Sequence, residues 1–337
     1  MLRNIKKVAV LALAGLTLAA CATEAPDTAA KAGGTDGADG AGAKPRVVML
    51  LNDQFDPYYL TLAKGAEEKA AELGVEFSWQ APTTLDVAAQ TQLLQSIAAT
   101  KPDGIIMSAL DAKAMSAPMR QVNEQGIPIV TVDADVEDQD ARLATFKSDG
   151  VVSGEMAADT VNELLAGTGK VGYVGYIPGI QSVDIRLKGW QEQLKKHAGL
   201  ENSGEEYAGA DISENVAKTS ALISRVPDLK AVFASWTNAA IGAAKAVQQA
   251  GKTGDIKVVG VDASPDQVDL LRQGLVDALV VQKPYDMGKD AVEALTAYTK
   301  DGTRPQGEKL YDFVVATKDN LDTPEISQYL YVKPEGK

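Results

Sequence analysis

At 337 residues and 45% apolar, the chain is long enough for two ordinary domains or one large one, and disorder is not its default state. A formal charge of −13 gives no general positive field for phosphates, which argues against a nucleic-acid partner and is read as solubility. One cysteine and one histidine exclude an intrachain disulfide, a zinc constellation and a Cys-His or Ser-His dyad.

The chain opens with Arg3, Lys6 and Lys7, followed by an apolar run over 8–18 that is too short to span a bilayer as a permanent helix. Residues 1–20 are therefore expected to be a secretory signal. They end in "LAAC", small residues leading into Cys21, and this stretch resembles the lipobox of bacterial lipoproteins, in which that cysteine is lipidated and becomes the new N-terminus. Losing 1–20, which holds three basic residues and no acid, would take the formal charge to −16. Residues 21–45 are Gly/Ala-rich and polar, lack large apolar side chains, and read as a flexible tether.

From Arg46 onward, short β-rich apolar runs alternate with helical stretches. The first half contains "RVVMLL", "VEFSW", "GIIMSAL", "IPIVTVD" and "ARLATFKSD"; the second contains "KVGYVGY", "EEYAGA", "AVFASW", "IKVVGVD", "DALVVQ" and "KLYDFVVATK". Unbroken apolar strands separated by helices predict α/β architecture with parallel sheets covered on both faces. The helix after the first strand places Tyr59, Leu62, Ala63, Ala66, Ala70 and Leu73 on one face. About ten strands fit two sheets of about five better than one, so two lobes are expected, with the second beginning near Asp149.

Open α/β sheets bind ligands beyond the carboxyl ends of their strands. This chain repeatedly places polar and aromatic residues there: Asp56, Tyr58 and Tyr59 after the first strand, Asp133 after the fourth, Trp236, Asp262 and Gln282 in the second half. Asp56 before Pro57 can also cap a helix, and the two roles are compatible. Tyr59 continues the apolar face and Tyr58 lies off it, which makes Tyr58 the better ligand-facing ring. Asp133 precedes "ADVEDQD", which does not open a helix, and Asp262 precedes "ASPD", where Ser264 and Pro265 already supply the cap; neither acid has a local structural explanation. Asp111 opens a helix and reads as a cap. Thr237 reads as a cap that leaves Trp236 at the sheet rim. Arg186 is either a surface arginine paired with Asp184 or a binding residue, and Gln282 either an exposed strand end or a binding residue. His197, between lysines, has no assigned role.

Catalytic motifs fail on inspection. "GTGKV" lacks the upstream glycine and following Ser/Thr of a phosphate loop, and "GYVGYIPG" is not a dinucleotide fingerprint. A carboxylate pair could still hydrolyse a glycoside, with Asp133 and Asp262 as the acids.

In order along the chain, "DPYYLTLAKGAEEKAAELG", "KPDGIIMSALDAKAM", "GIPIVTVDADV", "SDGVVSGEMAAD", "PDLKAVFASWTNAAIGAAKAVQQAGK", "IKVVGVDASPD" and "VVQKPYDMG" resemble the ribose-binding-protein-like periplasmic sugar-binding proteins of ABC transporters, from Arg46 to about Lys318. The resemblance implies the type I periplasmic binding protein fold: two doubly wound parallel-sheet lobes joined by a three-stranded hinge. The lobes would be 46–148 with 283–312, and 149–282 with 313–337. It implies a non-enzymatic lipoprotein without cofactor or metal, exported and lipid-anchored on the outer side of the cytoplasmic membrane or in the periplasm. Such a protein is expected to be a monomer that closes on a sugar-like ligand and presents it to a membrane permease. By position, Asp56, Tyr58, Tyr59 and Asp133 would contact the ligand from the first lobe, and Arg186, Asp262 and Gln282 from the second lobe and hinge, with Trp236 lining the site. The chain departs from the ribose pattern at Ala134, where an arginine is expected, at Ala210, where an aromatic should stack, and at Trp236, which replaces an amide. A secreted glycosidase, and a sensor serving a chemoreceptor or kinase, are the alternatives.

Overall fold

The computed structural model describes residues 44–179 and 181–333; the signal, Cys21 and the tether up to residue 43 lie outside them. The first half alternates β1 (Arg46–Leu50), α1 (Pro57–Leu73), β2 (Glu76–Gln80), α2 (Val87–Ala99), β3 (Gly104–Met107), α3 (Ser116–Glu124), β4 (Ile129–Val132) and β5 (Ala144–Ser148). The second half runs α4 (Gly150–Leu164), β6 (Gly169–Tyr176), α5 (Gln181–Leu194), β7 (Leu200–Ala208), α6 (Ile212–Arg225), β8 (Leu229–Ala234), α7 (Thr237–Gln249), β9 (Lys257–Val261), α8 (Pro265–Gln273) and β10 (Ala278–Val281). The end of the chain adds α9 (Pro284–Asp301), β11 (Glu308–Tyr311), β12 (Val314–Thr317) and α10 (Pro324–Ser327).

The strands form two sheets of six rather than five, in the orders β11-β5-β4-β3-β1-β2 and β12-β10-β9-β8-β6-β7. Position by position the orders correspond, so the lobes share one strand order and differ in the direction of the last edge strand. All pairings are parallel except β10 with β12. The late apolar stretch "KLYDFVVATK" divides because Asp312 and Phe313 carry the chain from one sheet to the other: β11 extends the first and β12 the second. β1, β3, β4 and β10 have no exposed position because helices cover both faces, whereas the edge strand β2 alternates exposed and half-buried residues.

Four glycines set how closely the helices approach. A Cβ on Gly65 of α1 would stand 2.1 Å from the Tyr285 carbonyl oxygen, and one on Gly288 of α9 would stand 2.1 Å from that of Leu62. In the other lobe, Gly154 of α4 and Gly189 of α5 make the same reciprocal pair, 2.0 Å from the Arg186 oxygen and 2.1 Å from the Val151 oxygen. Apolar layers fill the remaining faces: Leu94, Ile97, Met115 and Met119 under α2 and α3, and Trp190, Phe233 and Tyr173 under α4 and α5. Each fully buried side chain of this size contributes about 1.5–3 kcal/mol.

The chain passes between the sheets after β5, after β10 and between β11 and β12. These passages are bonded together: Asp149 N–H donates to the Tyr311 carbonyl at 3.1 Å, and Lys283 reaches Asp312 at 2.5 Å. Beyond β12 the chain buries Leu321, Ile326 and Tyr331. Among the described residues no helix is long and apolar enough to cross a membrane.

Candidate functional site

Asp56, Asp133, Trp236, Asp262 and Gln282 stand in the turns that follow strand ends, Tyr58 and Tyr59 open α1, and Arg186 lies in α5. In "NDQFDPYYL", each acid first serves the backbone. Asp53 accepts from the N–H groups of Phe55 and Asp56, and Asp56 caps α1 by accepting from Tyr58 N–H at 2.9 Å. That rigid entry fixes the two tyrosines. Tyr58 donates to Asp133 Oδ1 at 3.0 Å and Tyr59 to Asp133 Oδ2 at 2.8 Å. The expected division between them is corrected: Tyr58 is the more buried ring, packed in the core, and both hydroxyls reach the same acid.

Behind Tyr59 lies a polar network absent from the sequence reading. Gln90, wholly buried, donates to Asn52 at 2.9 Å; Asn52 donates to Tyr59 Oη at 2.9 Å and to Ser108 at 3.1 Å; Ser108 reaches Asp133 at 3.4 Å. Asn52 follows β1 and Ser108 follows β3, so adjacent strands deliver both. Polar residues directly after the apolar runs were the available signal.

Asp133 and Asp262 occupy equivalent places in the two lobes, each one residue past its strand. Both have left-handed backbone, φ 63° and 80°, a region where Asp is tolerated better than most residues. Each donates its N–H to a carbonyl of the neighbouring strand, Asp133 to Phe146 at 2.8 Å and Asp262 to Val280 at 3.1 Å. The turn after Asp133 is pinned by Asp135, which accepts from Thr131 and forms a two-bond pair with Arg142 at 2.7 and 2.8 Å. Asp111, expected to cap a helix, instead accepts from Lys113 and Ala114 N–H in the turn before α3, whose cap position is Met115.

Asp262 accepts three side-chain hydrogen bonds. Gln282 donates to its Oδ1 at 2.6 Å, Tyr331 to the same oxygen at 3.1 Å, and Thr237 to Oδ2 at 2.9 Å. Gln282 is 5% exposed, so it is no solvated strand end. Thr237 is corrected from cap to partner of Asp262; Trp236 holds the cap position of α7 without a capping bond, its ring edge-on to Tyr176 at 5.0 Å. Arg186 is 8% exposed and does not pair with Asp184, which accepts from Gly179 N–H. Its Nη1 donates to the Ser235 carbonyl at 2.8 Å. Arg186 Nε and Trp236 Nε1 are buried donors without a partner. Leaving such a donor unpaired costs about 1–3 kcal/mol. His197 bonds Asp159 away from these residues.

The two halves meet. The Tyr58 ring lies edge-on to Tyr331 at 5.7 Å, and Tyr331 reaches Asp262, so Asp133, Tyr58, Tyr331 and Asp262 form a continuous chain from lobe to lobe. Burial pushes the phenols of Tyr58, Tyr59 and Tyr331 well above their ordinary pKa, keeping them as donors. Burial also raises Asp133, and the Asp262 charge adds to this; the tyrosine donors and Arg186 oppose it. Asp56 is exposed at the edge of the cluster, and the protein around its carboxylate pushes the pKa up to about 6. Lost hydration is the main cause, opposed by Tyr58 N–H and reinforced by Asp262, Asp53 and Asp133. Among the described residues no group of three or more His, Cys, Asp or Glu is placed to hold a metal ion.

Acids, phenols and one buried guanidinium thus gather where two like lobes meet. The profile of the periplasmic binding protein domain matches residues 47–303. The chain belongs to this family. It is 27% identical to the ribose import binding protein of Bacillus subtilis, over 85% of this chain and 90% of that protein. It is 28% identical to the D-ribose/D-allose-binding protein of Pseudomonas aeruginosa, over 92% and 97%. A solute-binding protein of an ABC transporter from Agrobacterium vitis, solved with α-D-tagatopyranose, superposes with a TM-score of 0.79 at 30% identity, over 86% of this chain and all of that one. The family is one of substrate-binding proteins of importers, not enzymes, which sets aside Asp133 with Asp262 as a hydrolytic pair.

Proposed function

We propose that this chain is a solute-binding lipoprotein of an ABC importer whose lobes, 46–148 with 283–312 and 149–282 with 313–337, close on a small sugar or sugar-like polar ligand. Asp56, Tyr58, Tyr59 and Asp133 act from the first lobe; Arg186, Trp236, Asp262 and Gln282 act from the second. The observation that carries this reading is the pairing of two equivalent strand-end aspartates, 133 and 262, through one hydrogen-bonded and aromatic network. A sugar offers hydroxyls that donate to such carboxylates, oxygens that accept from Arg186 Nε and Trp236 Nε1, and apolar ring faces for the aromatic side chains. The relatives whose names state ribose, allose or tagatose support the ligand class.

Cys21 is lipidated after loss of residues 1–20, the acidic Gly/Ala-rich stretch tethers the monomer outside the cytoplasmic membrane, and the closed form delivers its ligand to a membrane permease. Calorimetric titration against pentoses, hexoses and polyols tests the ligand class: one or a few members bind with micromolar affinity or tighter. The reading fails if none binds. Palmitate labelling of the wild type and of Cys21→Ala tests the anchor, with label expected only in the former.

A further inference from the structure

The chain between Thr317 and Val332 crosses from one lobe to the other. Tyr331 N–H donates to the Ala263 carbonyl at 3.1 Å, beside Asp262, and the next N–H, of Val332, donates to Thr61 Oγ1 at 2.8 Å on α1. Consecutive residues are about 3.8 Å apart. Both bonds therefore hold only while the second lobe and α1 stay close. Upstream, Lys283 stands over the Tyr329 ring at 5.1 Å, and Leu321 and Ile326 are buried. This segment inserts one side chain between the lobes: Tyr331, 6% exposed, its ring edge-on to Tyr58 and its hydroxyl on Asp262 Oδ1.

An ionised carboxylate has roughly four acceptor positions. On Asp262, Gln282 and Tyr331 use those of Oδ1 and Thr237 uses one of Oδ2, which leaves one. We infer that Tyr331 is a specificity-determining residue of this same cleft, carried in by the C-terminal segment. Its ring closes the space between Tyr58 and Asp262 and limits ligand size on that side. Its hydroxyl leaves a single Asp262 position through which a ligand hydroxyl is read. This inference rests on the sugar-binding reading above.

The experiment compares wild type, Tyr331→Phe and Tyr331→Ala by calorimetric titration with matched pentoses and hexoses, including epimer pairs. Phe keeps the ring and frees one Oδ1 position, so affinity ratios between epimers change about tenfold, the worth of one charge-assisted hydrogen bond. Ala also removes the ring, so the hexose-to-pentose affinity ratio rises about tenfold or more. A residue with only a structural role would weaken every sugar by a common factor; that result, or unchanged ratios in both variants, overturns the inference while leaving sugar binding intact. Wild type that binds no sugar overturns the proposed function and this inference together. Should the Ala variant fail to fold, the epimer ratios of Tyr331→Phe decide alone.

Discussion

Asp262→Ala and Asp262→Asn separate what this residue does for the fold from what it does for a ligand. The native carboxylate accepts from Gln282, Thr237 and Tyr331 at φ 80°, 8% exposed. Alanine strands those donors, at about 1–3 kcal/mol for each one that finds no water, and puts a Cβ-bearing residue without a compensating polar group in left-handed backbone, about 1–2 kcal/mol more. A loss of about 4 kcal/mol follows, which for a chain of this size lowers Tm by roughly 7 °C. Asparagine keeps the volume and tolerates the backbone. The Gln282 amide can flip to accept from the new NH2, and the Tyr331 hydroxyl can turn, so stability falls by only about 1 kcal/mol. A sugar hydroxyl donating to this position, however, loses its charge assistance, about 1.5 kcal/mol or tenfold in Kd. Differential scanning calorimetry and titration of the same samples give both numbers. If Asp262→Asn binds every cognate sugar within threefold of wild type, Asp262 is a scaffold residue and does not touch ligand.

Asp56→Asn keeps a side chain that caps α1 equally well and removes only the charge. Because the folded carboxyl titrates at about 6 against 3.8 as its reference, the native chain holds a proton between about pH 4 and 6 that the unfolded chain has lost. Wild-type stability from this group therefore rises as pH falls through 6, and urea midpoints at pH 7 and 5 show this component missing from the variant. Ligand affinity moves oppositely, falling below pH 6 in wild type as the acceptor is protonated and staying flatter in Asp56→Asn. Arg186→Lys is expected to weaken binding at least tenfold by titration with Tm nearly unchanged, since an ammonium reaches one acceptor where the guanidinium offers the Ser235 bond and a free Nε. Gly154→Ala, which drives a methyl into the Arg186 backbone, is expected to cost about 1–3 kcal/mol by denaturant unfolding and to weaken binding as well. Gly65→Ala, the equivalent change in the other lobe, costs similar stability with a smaller effect on affinity.

The strand runs were legible because parallel sheets covered on both faces demand unbroken β-branched segments, and every stretch named from the sequence holds a strand. Asp133 and Asp262 stood out by elimination, since neither starts a helix, and the structure gives both the same left-handed backbone one residue past equivalent strands. What remained hidden was relational. Periodicity sorted Tyr58 from Tyr59 by helix face, but a first-turn side chain sees the next strand end as much as its own helix, and both rings turn to Asp133. Thr237 looked like a cap because hydroxyls usually cap; only its placement across from β9 gives it Asp262 instead. Tyr331 was the hardest case, being 69 residues beyond Asp262 in a segment with no periodic pattern.

The duplicated topology makes sense of both outcomes. Each lobe repeats the strand order, the crossed helix pair set by two glycines, and the aspartate one residue past the equivalent strand. Features that occur twice can be read from local pattern, since each copy is explained by its own sheet. The C-terminal segment has no counterpart in the first lobe, and it supplies the side chain that links the two aspartates. Two like lobes can furnish matched carboxylates, but a ligand without matching symmetry needs unlike neighbours around them. In this chain Arg186, Trp236 and Tyr331 are those neighbours, and selectivity is expected to follow changes at these three together with the Asp262 position that Tyr331 leaves open.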